Sequence, residues 1–269
     1  MSASAVSIQL KLTPAVSYVL RLADSCLIHA QRLGEWCGHG PVLEEDIAVS
    51  NMALDLLGQS RSLLTHAAAL EGQGFDEDQL AFLRDERQFF NLTLVEQPGR
   101  RSSAHAPGAD FADVVLRNFL LASWLKPIWL GLLESTDSQL AAIAAKAVKE
   151  ARYHQQHAAD WVVRLGDGSA ESVARMAAAL QRVWPYTAEM FAHDAVDAAA
   201  VASRLGPSRR SLREGWLAEV GAVLAEAQLA MPASTPFIST GTQGLHSEHL
   251  GFILAEMQTL QRQHPGGSW

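Results

Sequence analysis

Apolar residues recur along this chain at helical spacing, in four long runs. The clearest is residues 138–165. There Leu140, Ala144, Ala147, Val148, Ala151, Ala158, Trp161, Val162 and Leu165 fall on one face of a helix. His154 shares that face, and Lys146, Glu150 and His154, at i, i+4 and i+8, run down one of its edges. An earlier helix opens with Pro14 in its first turn and extends to about Trp36. Its inner face is Val16, Leu20, Ala23, Leu27 and Ala30, with Asp24, Ile28, Gln31 and Glu35 along one edge, and Cys37-Gly-His-Gly-Pro41 stops it. The next helix, from Leu43 to about Leu70, starts with Glu44, Glu45 and Asp46, where the helix dipole favours carboxylates. The run from Phe111 to Glu134 is apolar on all sides, so it should be buried almost all round and bent at Pro127.

Shorter elements fill the rest. Asp76 to Phe90 reads as a charged helix with Leu80 and Leu83 inward. Residues 170–182 read as a helix capped by Ser169 and broken at Pro185, and 196–205 and 208–229 as two more. The last helix, His246 to Gln263, carries Leu250, Ile253, Leu254, Met257 and Leu260 as a stripe. Residues 97–110, with two Pro-Gly pairs, read as a mobile loop. No strand-like alternation of useful length occurs. The pattern predicts an all-α fold: a long four-helix bundle with additional helices, one domain over 1–269 with an ordered core over 14–264.

Composition narrows the function. At 269 residues and 48% hydrophobic, the chain buries a substantial core, and its formal charge of −8 argues against a nucleic-acid surface. No stretch of about 18 apolar residues spans a membrane, since Phe119 to Leu133 is interrupted by Lys126 and Pro127. The start of the chain lacks a signal-peptide pattern. Cys26 and Cys37 lie on one predicted helix about 16 Å apart, too far for a disulfide, and free thiols point to the cytoplasm. Phosphate-binding glycine loops and a nucleophile elbow are absent from the sequence.

A helical bundle of this length invites a test for a paired-metal centre. Such bundles take one Glu from each of two helices and Glu-x-x-His from each of the other two. The chain has ten histidines, and none is preceded three residues earlier by Glu or Asp. The apolar run from Val114 to Leu133 has no carboxylate to give. Asp55 is followed at the partner position by Gly58, and Glu150 by Tyr153. Glu150 and His154 could still touch one divalent ion. Lys146, one turn before Glu150, supplies the charge a metal would have supplied. The expectation is that Lys146, or another basic side chain, neutralises Glu150 and acids of the first two helices. The alternative is a solvated Lys–Glu row. The candidate residues of this degenerate centre are Asp24, Glu45, Lys146, Glu150 and His154. His246 and His249 form an i, i+3 pair that reads as a packing or interface pair rather than a metal site. The helical tryptophans read as core. Arg100 and Arg101 read as a solvated loop, with an anionic ligand such as a coenzyme phosphate as the alternative.

Several ordered stretches then carry a resemblance. Gln31-Arg-Leu-Gly-Glu-Trp-Cys-Gly-His39, Ala53-Leu-Asp-Leu-Leu-Gly-Gln59, Leu94-Val-Glu-Gln-Pro98, Lys146-Ala-Val-Lys-Glu-Ala-Arg-Tyr-His154, Trp161-Val-Val-Arg-Leu-Gly-Asp-Gly168 and His246-Ser-Glu-His-Leu-Gly-Phe252 are similar to the C-subunit family of bacterial phenylacetyl-CoA epoxidases. The match runs from about Tyr18 to Arg262. The resemblance implies a ferritin-like subunit of a multicomponent monooxygenase in aerobic phenylacetate catabolism. In that family a catalytic A subunit holds the di-iron centre and epoxidises the ring of phenylacetyl-CoA. A reductase with flavin and an iron–sulfur centre brings electrons from NADPH. The C subunit supports the A subunit in a homo- and hetero-oligomeric assembly, with no cofactor and no catalytic residue of its own. Two other readings stand beside it. One is an active di-metal oxidase with atypical ligands among Asp24, Glu45, Glu150 and His154; the other is an independent helical ligand-binding protein.

Overall fold

A computed structural model describes residues 7–98, 101–103, 106–265 and 267. Four long helices form a ferritin-like bundle: α1 (Pro14–Gly34), α2 (Leu43–Glu71), α4 (Phe111–Leu132) and α5 (Ser138–Gly166). Local chemistry sets their ends. Thr13 caps α1 by accepting from the Val16 amide, with Pro14 behind it. Glu44, Glu45 and Asp46 occupy the first turn of α2, and Gly72 ends it in the left-handed region. Asp137 caps α5, accepting from the Gln139 and Leu140 amides at 3.0 Å each. α4 is buried along nearly its whole length and continues through Pro127. Trp124 Nε1 donates to the Met190 carbonyl.

The shorter helices are α3 (Glu77–Phe82), α6 (Ala170–Val183), α7 (Ala195–Ala202), α8 (Arg213–Glu226) and α9 (Glu248–Gln263), with a 3₁₀ stretch over Trp184–Phe191 where Pro185 ends the α-helical ladder. Core packing draws on all four long helices and on α6, α8 and α9. β1 (Arg101–Ser103) and β2 (Ala106–Ala109) pair antiparallel, and Thr240 and Leu245 form an isolated bridge. These strands fall inside the stretch read from the sequence as a mobile loop, whose described residues form a short antiparallel ribbon. Arg100 and the side chain of Arg101 lie outside the described residues.

Two further expectations are corrected. The helix expected from Asp76 to Phe90 stops at Phe82, because Arg84 turns inward. Its guanidinium donates to Asp24 at 2.9 and 2.5 Å, and both side chains are fully buried. The last helix begins at Glu248 behind the cap Ser247, so His246 precedes it and does not share its face with His249.

Ion pairs and buried hydrogen bonds tie the irregular segments to α1 and to one another. Asp24 also accepts from the Phe90 amide. Arg21 reaches Asp194 at 2.9 and 2.5 Å, and Arg209 meets Asp197 at 2.7 and 2.6 Å. Glu189 accepts from the Thr93 and Thr242 amides and the Ser239 hydroxyl. Glu96 accepts from His246 Nδ1 at 2.6 Å, from Asn91 and from the amide and hydroxyl of Ser247. These segments bury Phe89, Leu92, Leu94 and Val95 in the core, and because buried carboxylates must find donors the polar contacts fix them further.

Candidate functional site

The inward faces of the four long helices meet at a small polar centre. α1 contributes Cys26 and His29, which are i, i+3 and therefore on one face. α2 contributes Met52, Asp55 and Gln59, α4 contributes Asn118, and α5 contributes Glu150 and His154. His29 Nε2 lies 3.2 Å from Asn118 Oδ1, and Asn118 Nδ2 lies 3.3 Å from the Met52 sulfur. His154 Nε2 lies 3.0 Å from Asp55 Oδ2. The Cys26 thiol faces Gln59 Oε1 at 3.6 Å, and Gln59 Nε2 donates to Glu150 Oε2 at 2.9 Å.

Burial sets the charge state of this centre. His29 is driven down to about 3, first by desolvation and then by the nearby Arg117 guanidinium. It is neutral at pH 7. Since Asn118 Oδ1 can only accept, His29 Nε2 carries the proton, and Nδ1 is left as a buried acceptor without a partner among the described residues. His154 is also lowered by burial, against the pull of Asp55 and Glu150. Burial, with Glu150 and Asp24 nearby, pushes the Cys26 thiol far up, so it stays protonated.

Towards solvent the centre continues as a seam between α2 and α5. His157 Nε2 and Glu45 Oε2 stand 3.0 Å apart without hydrogen-bond alignment. Further along, His66 Nε2 meets Asp137 Oδ2 at 2.8 Å. The antiparallel helices are thus joined by Glu45–His157, Asp55–His154, Gln59–Glu150 and His66–Asp137. Beside them an open groove of about 480 Å³ is lined by Gly58, Gln59, Ser62, Ala142, Lys146 and Glu150 among others.

The five residues singled out from sequence divide. Glu150 and His154 lie in the centre, and Glu45 lies in the seam. Asp24 is taken up by Arg84. Lys146 meets Glu150 as expected but from the solvent side: its side chain is 76% exposed and its ammonium is 3.7 Å from Glu150 Oε1. Its four-carbon stem lets the charge remain in water while Gln59 satisfies Glu150 from inside. His246 also differs from the packing role expected of it. Its side chain is buried in an ion pair with Glu96 and lies 2.8 Å from the Phe89 carbonyl.

Sequence reasoning missed His29, Asn118, Met52 and Gln59. One signal was available. Arg117 and Asn118 are adjacent polar residues inside the most apolar helix, and buried polar groups need partners. The donor set can then be judged directly. Where a paired-metal bundle would present four carboxylates and two imidazoles, these faces present Cys26, His29, Met52, Asp55, Gln59, Asn118, Glu150 and His154. Two carboxylates, already engaged by Gln59 and His154, with two amides, a thiol and a thioether, do not supply the four carboxylates that two hard cations need. Among the described residues, no three of His, Cys, Asp and Glu are grouped to hold a metal ion. No helix of the described residues is long and apolar enough to cross a membrane.

Comparison with known proteins gives a consistent picture. The family model described as "Phenylacetic acid catabolic protein" matches residues 1–269. The C subunit of the 1,2-phenylacetyl-CoA epoxidase of Escherichia coli (strain K12) is 49% identical over 253 residues, which is 94% of this chain and 98% of the relative.

Proposed function

The chain belongs to the phenylacetic acid catabolic protein family, and from that membership we propose that it is the non-catalytic C-type subunit of a phenylacetyl-CoA epoxidase. In this reading it binds and supports a di-iron A subunit in the cytoplasm. A separate reductase brings electrons from NADPH through flavin and an iron–sulfur centre. This chain holds no cofactor and contributes no catalytic residue.

The identity to the E. coli C subunit along nearly the whole length of both chains carries the reading. The inward faces support it independently. The centre of the bundle carries His29, Met52, Gln59 and Asn118 beside only two carboxylates, Asp55 and Glu150, each engaged by a protein group. The candidates Asp24, Glu45, Lys146, Glu150 and His154 are thus, in this proposal, members of structural pairs rather than ligands.

The test is reconstitution with one component left out at a time. Phenylacetyl-CoA epoxidation by the full set is expected to collapse when this chain is omitted, and this chain alone is expected to give no turnover. Near-stoichiometric iron in the purified chain, or turnover by it alone, overturns the proposal.

A further inference from the structure

One cavity stands apart from the polar centre and carries its own chemistry. It measures about 270 Å³ and lies between the 3₁₀ stretch Trp184–Phe191, the start of α8 and residues 231–235, with no lining residue from the four long helices. Trp184, Phe191 and Trp216 form its buried wall. The Trp216 ring centroid lies 5.7 Å from that of Trp184 and 5.3 Å from that of Phe191. Trp216 is fixed from behind, since its Nε1 donates to the Leu120 carbonyl at 3.1 Å. The Thr187 hydroxyl is used within the 3₁₀ stretch, donating to the Trp184 carbonyl at 2.7 Å. Met231 closes one side, its methyl set over Gly221, where an added Cβ would stand 2.9 Å away. The wall is therefore in place before any ligand enters, and a preorganised wall costs little ordering on binding.

Charge at the mouth decides what this wall can take. Arg213 precedes Trp216 by three residues on α8, so the guanidinium stem and the indole share one face. Arg213 is exposed, and its guanidinium makes no ion pair or hydrogen bond among the described residues. It is the one charged residue in the lining, in a chain of net charge −8. Aromatic walls also receive cations, but a guanidinium at the mouth repels a second positive charge. No carboxylate, imidazole, thiol or amine lines the cavity, so it lacks a base or an activated nucleophile for turnover. Size narrows the ligand further. A dry apolar cavity of about 150 Å³ already admits benzene. One ring with a short acidic arm suits about 270 Å³, and a nucleotide-bearing ligand exceeds it.

We propose that this cavity binds a small carboxylate bearing one aromatic ring, with the ring against Trp184, Phe191 and Trp216 and the carboxylate on Arg213. The site binds its ligand and does not convert it. A ring entering here meets aromatic neighbours at the offset or edge-on spacing of about 4.5–7 Å that such pairs favour. A guanidinium receives a carboxylate through two parallel N–H···O bonds. The proposal does not depend on the subunit reading, because no residue of the polar centre or of the α2–α5 seam takes part.

The experiment titrates the full chain with phenylacetate as the probe, by calorimetry and ligand-observed NMR. Two analogues accompany it: phenylacetamide keeps the ring and loses the charge, and cyclohexylacetate keeps the charge and loses the aromatic ring. Phenylacetate is expected to bind saturably, phenylacetamide about tenfold and cyclohexylacetate about threefold more weakly. Arg213→Gln is expected to weaken phenylacetate about tenfold and to leave phenylacetamide unchanged. Ala188→Phe, which fills the cavity, is expected to abolish binding. Arg152→Gln, an exposed guanidinium on α5, is expected to bind as wild type. Thermal unfolding checks that each variant folds, and if Ala188→Phe does not, Thr235→Trp at the exposed rim replaces it. No saturable binding, or binding that Arg213→Gln and the filled cavity both leave unchanged, overturns the proposal. Equal affinity for either analogue overturns the assigned ligand class. Phenylacetate expelled when the A subunit is added also overturns it, in favour of a cavity that receives a side chain of a partner protein.

Discussion

The molecule contains two polar systems built in opposite ways. Around α1, buried carboxylates are saturated. Asp24 takes three hydrogen bonds, two from Arg84 and one from the Phe90 amide. Glu189 and Glu96 each gather backbone and side-chain donors from distant segments. Between α2 and α5 the pairs are mostly one to one, and one face is open to solvent. There Glu45 Oε2 and His157 Nε2 have no hydrogen-bond partner among the described residues. The first system holds irregular backbone to the bundle. The second fills the place where helices of this arrangement otherwise carry chemistry. Charge therefore marks structure in one region and a lapsed centre in the other, and burial alone does not tell them apart. Saturation does.

The sharpest way to break this contrast is Arg84→Met. It leaves Asp24 charged and fully buried, and should cost about 3–5 kcal/mol of stability in urea unfolding. A loss below about 1 kcal/mol would show that the α1 system is not a lock.

The second test is pH, because the two regions should respond with opposite sign. His29 and His154 are held below the ordinary histidine range. The unfolded chain therefore binds their protons more readily, and their contribution to stability falls as pH drops below about 6.5 towards the value of about 3 for His29. Each proton contributes at most about 1.4 kcal/mol per pH unit. His29→Gln should flatten this acid limb. For His246, burial works against the charge, but Glu96 and the Phe89 carbonyl outweigh it and raise its affinity for the proton. Its contribution is complete below the ordinary histidine value and is lost as pH rises through the raised one. Glu96→Gln should remove that neutral-to-alkaline loss. Urea midpoints measured from pH 4 to 9 report both limbs.

Smaller effects belong to the seam. Glu150→Gln keeps a partner for Gln59 and should change stability by less than about 1 kcal/mol. Lys146→Ala, on a solvated side chain, should stay within about 0.5 kcal/mol by the same urea assay. A large effect of either would move the seam into the structural class.

Much of the fold was legible because periodicity is local. The four long helices, the cap at Ser169 and the break at Pro185 follow from spacing and turn chemistry within a few residues. His154 could be placed inward from the apolar positions around it. The Arg84–Asp24 pair could not be found this way, since its members are 60 residues apart. Nothing near Arg84 signals that its side chain ends a helix early in order to reach α1. The Lys146–Glu150 pair was legible from i, i+4 spacing, but how far its charge stands in water was not: helical spacing fixes the direction of Cβ, and a long stem decides where the charge ends. His246 kept a helical spacing to His249 that its backbone does not adopt.

The thiol of Cys26 has a practical consequence. It is sealed between α1 and α2 and stays protonated, while Cys37 is exposed just past the end of α1. A maleimide added to the native chain should therefore find one sulfur at once and the second only when the bundle opens. Counting adducts by mass over time turns the second sulfur into an internal clock for how often the helices part, and the same clock should slow when a partner is bound.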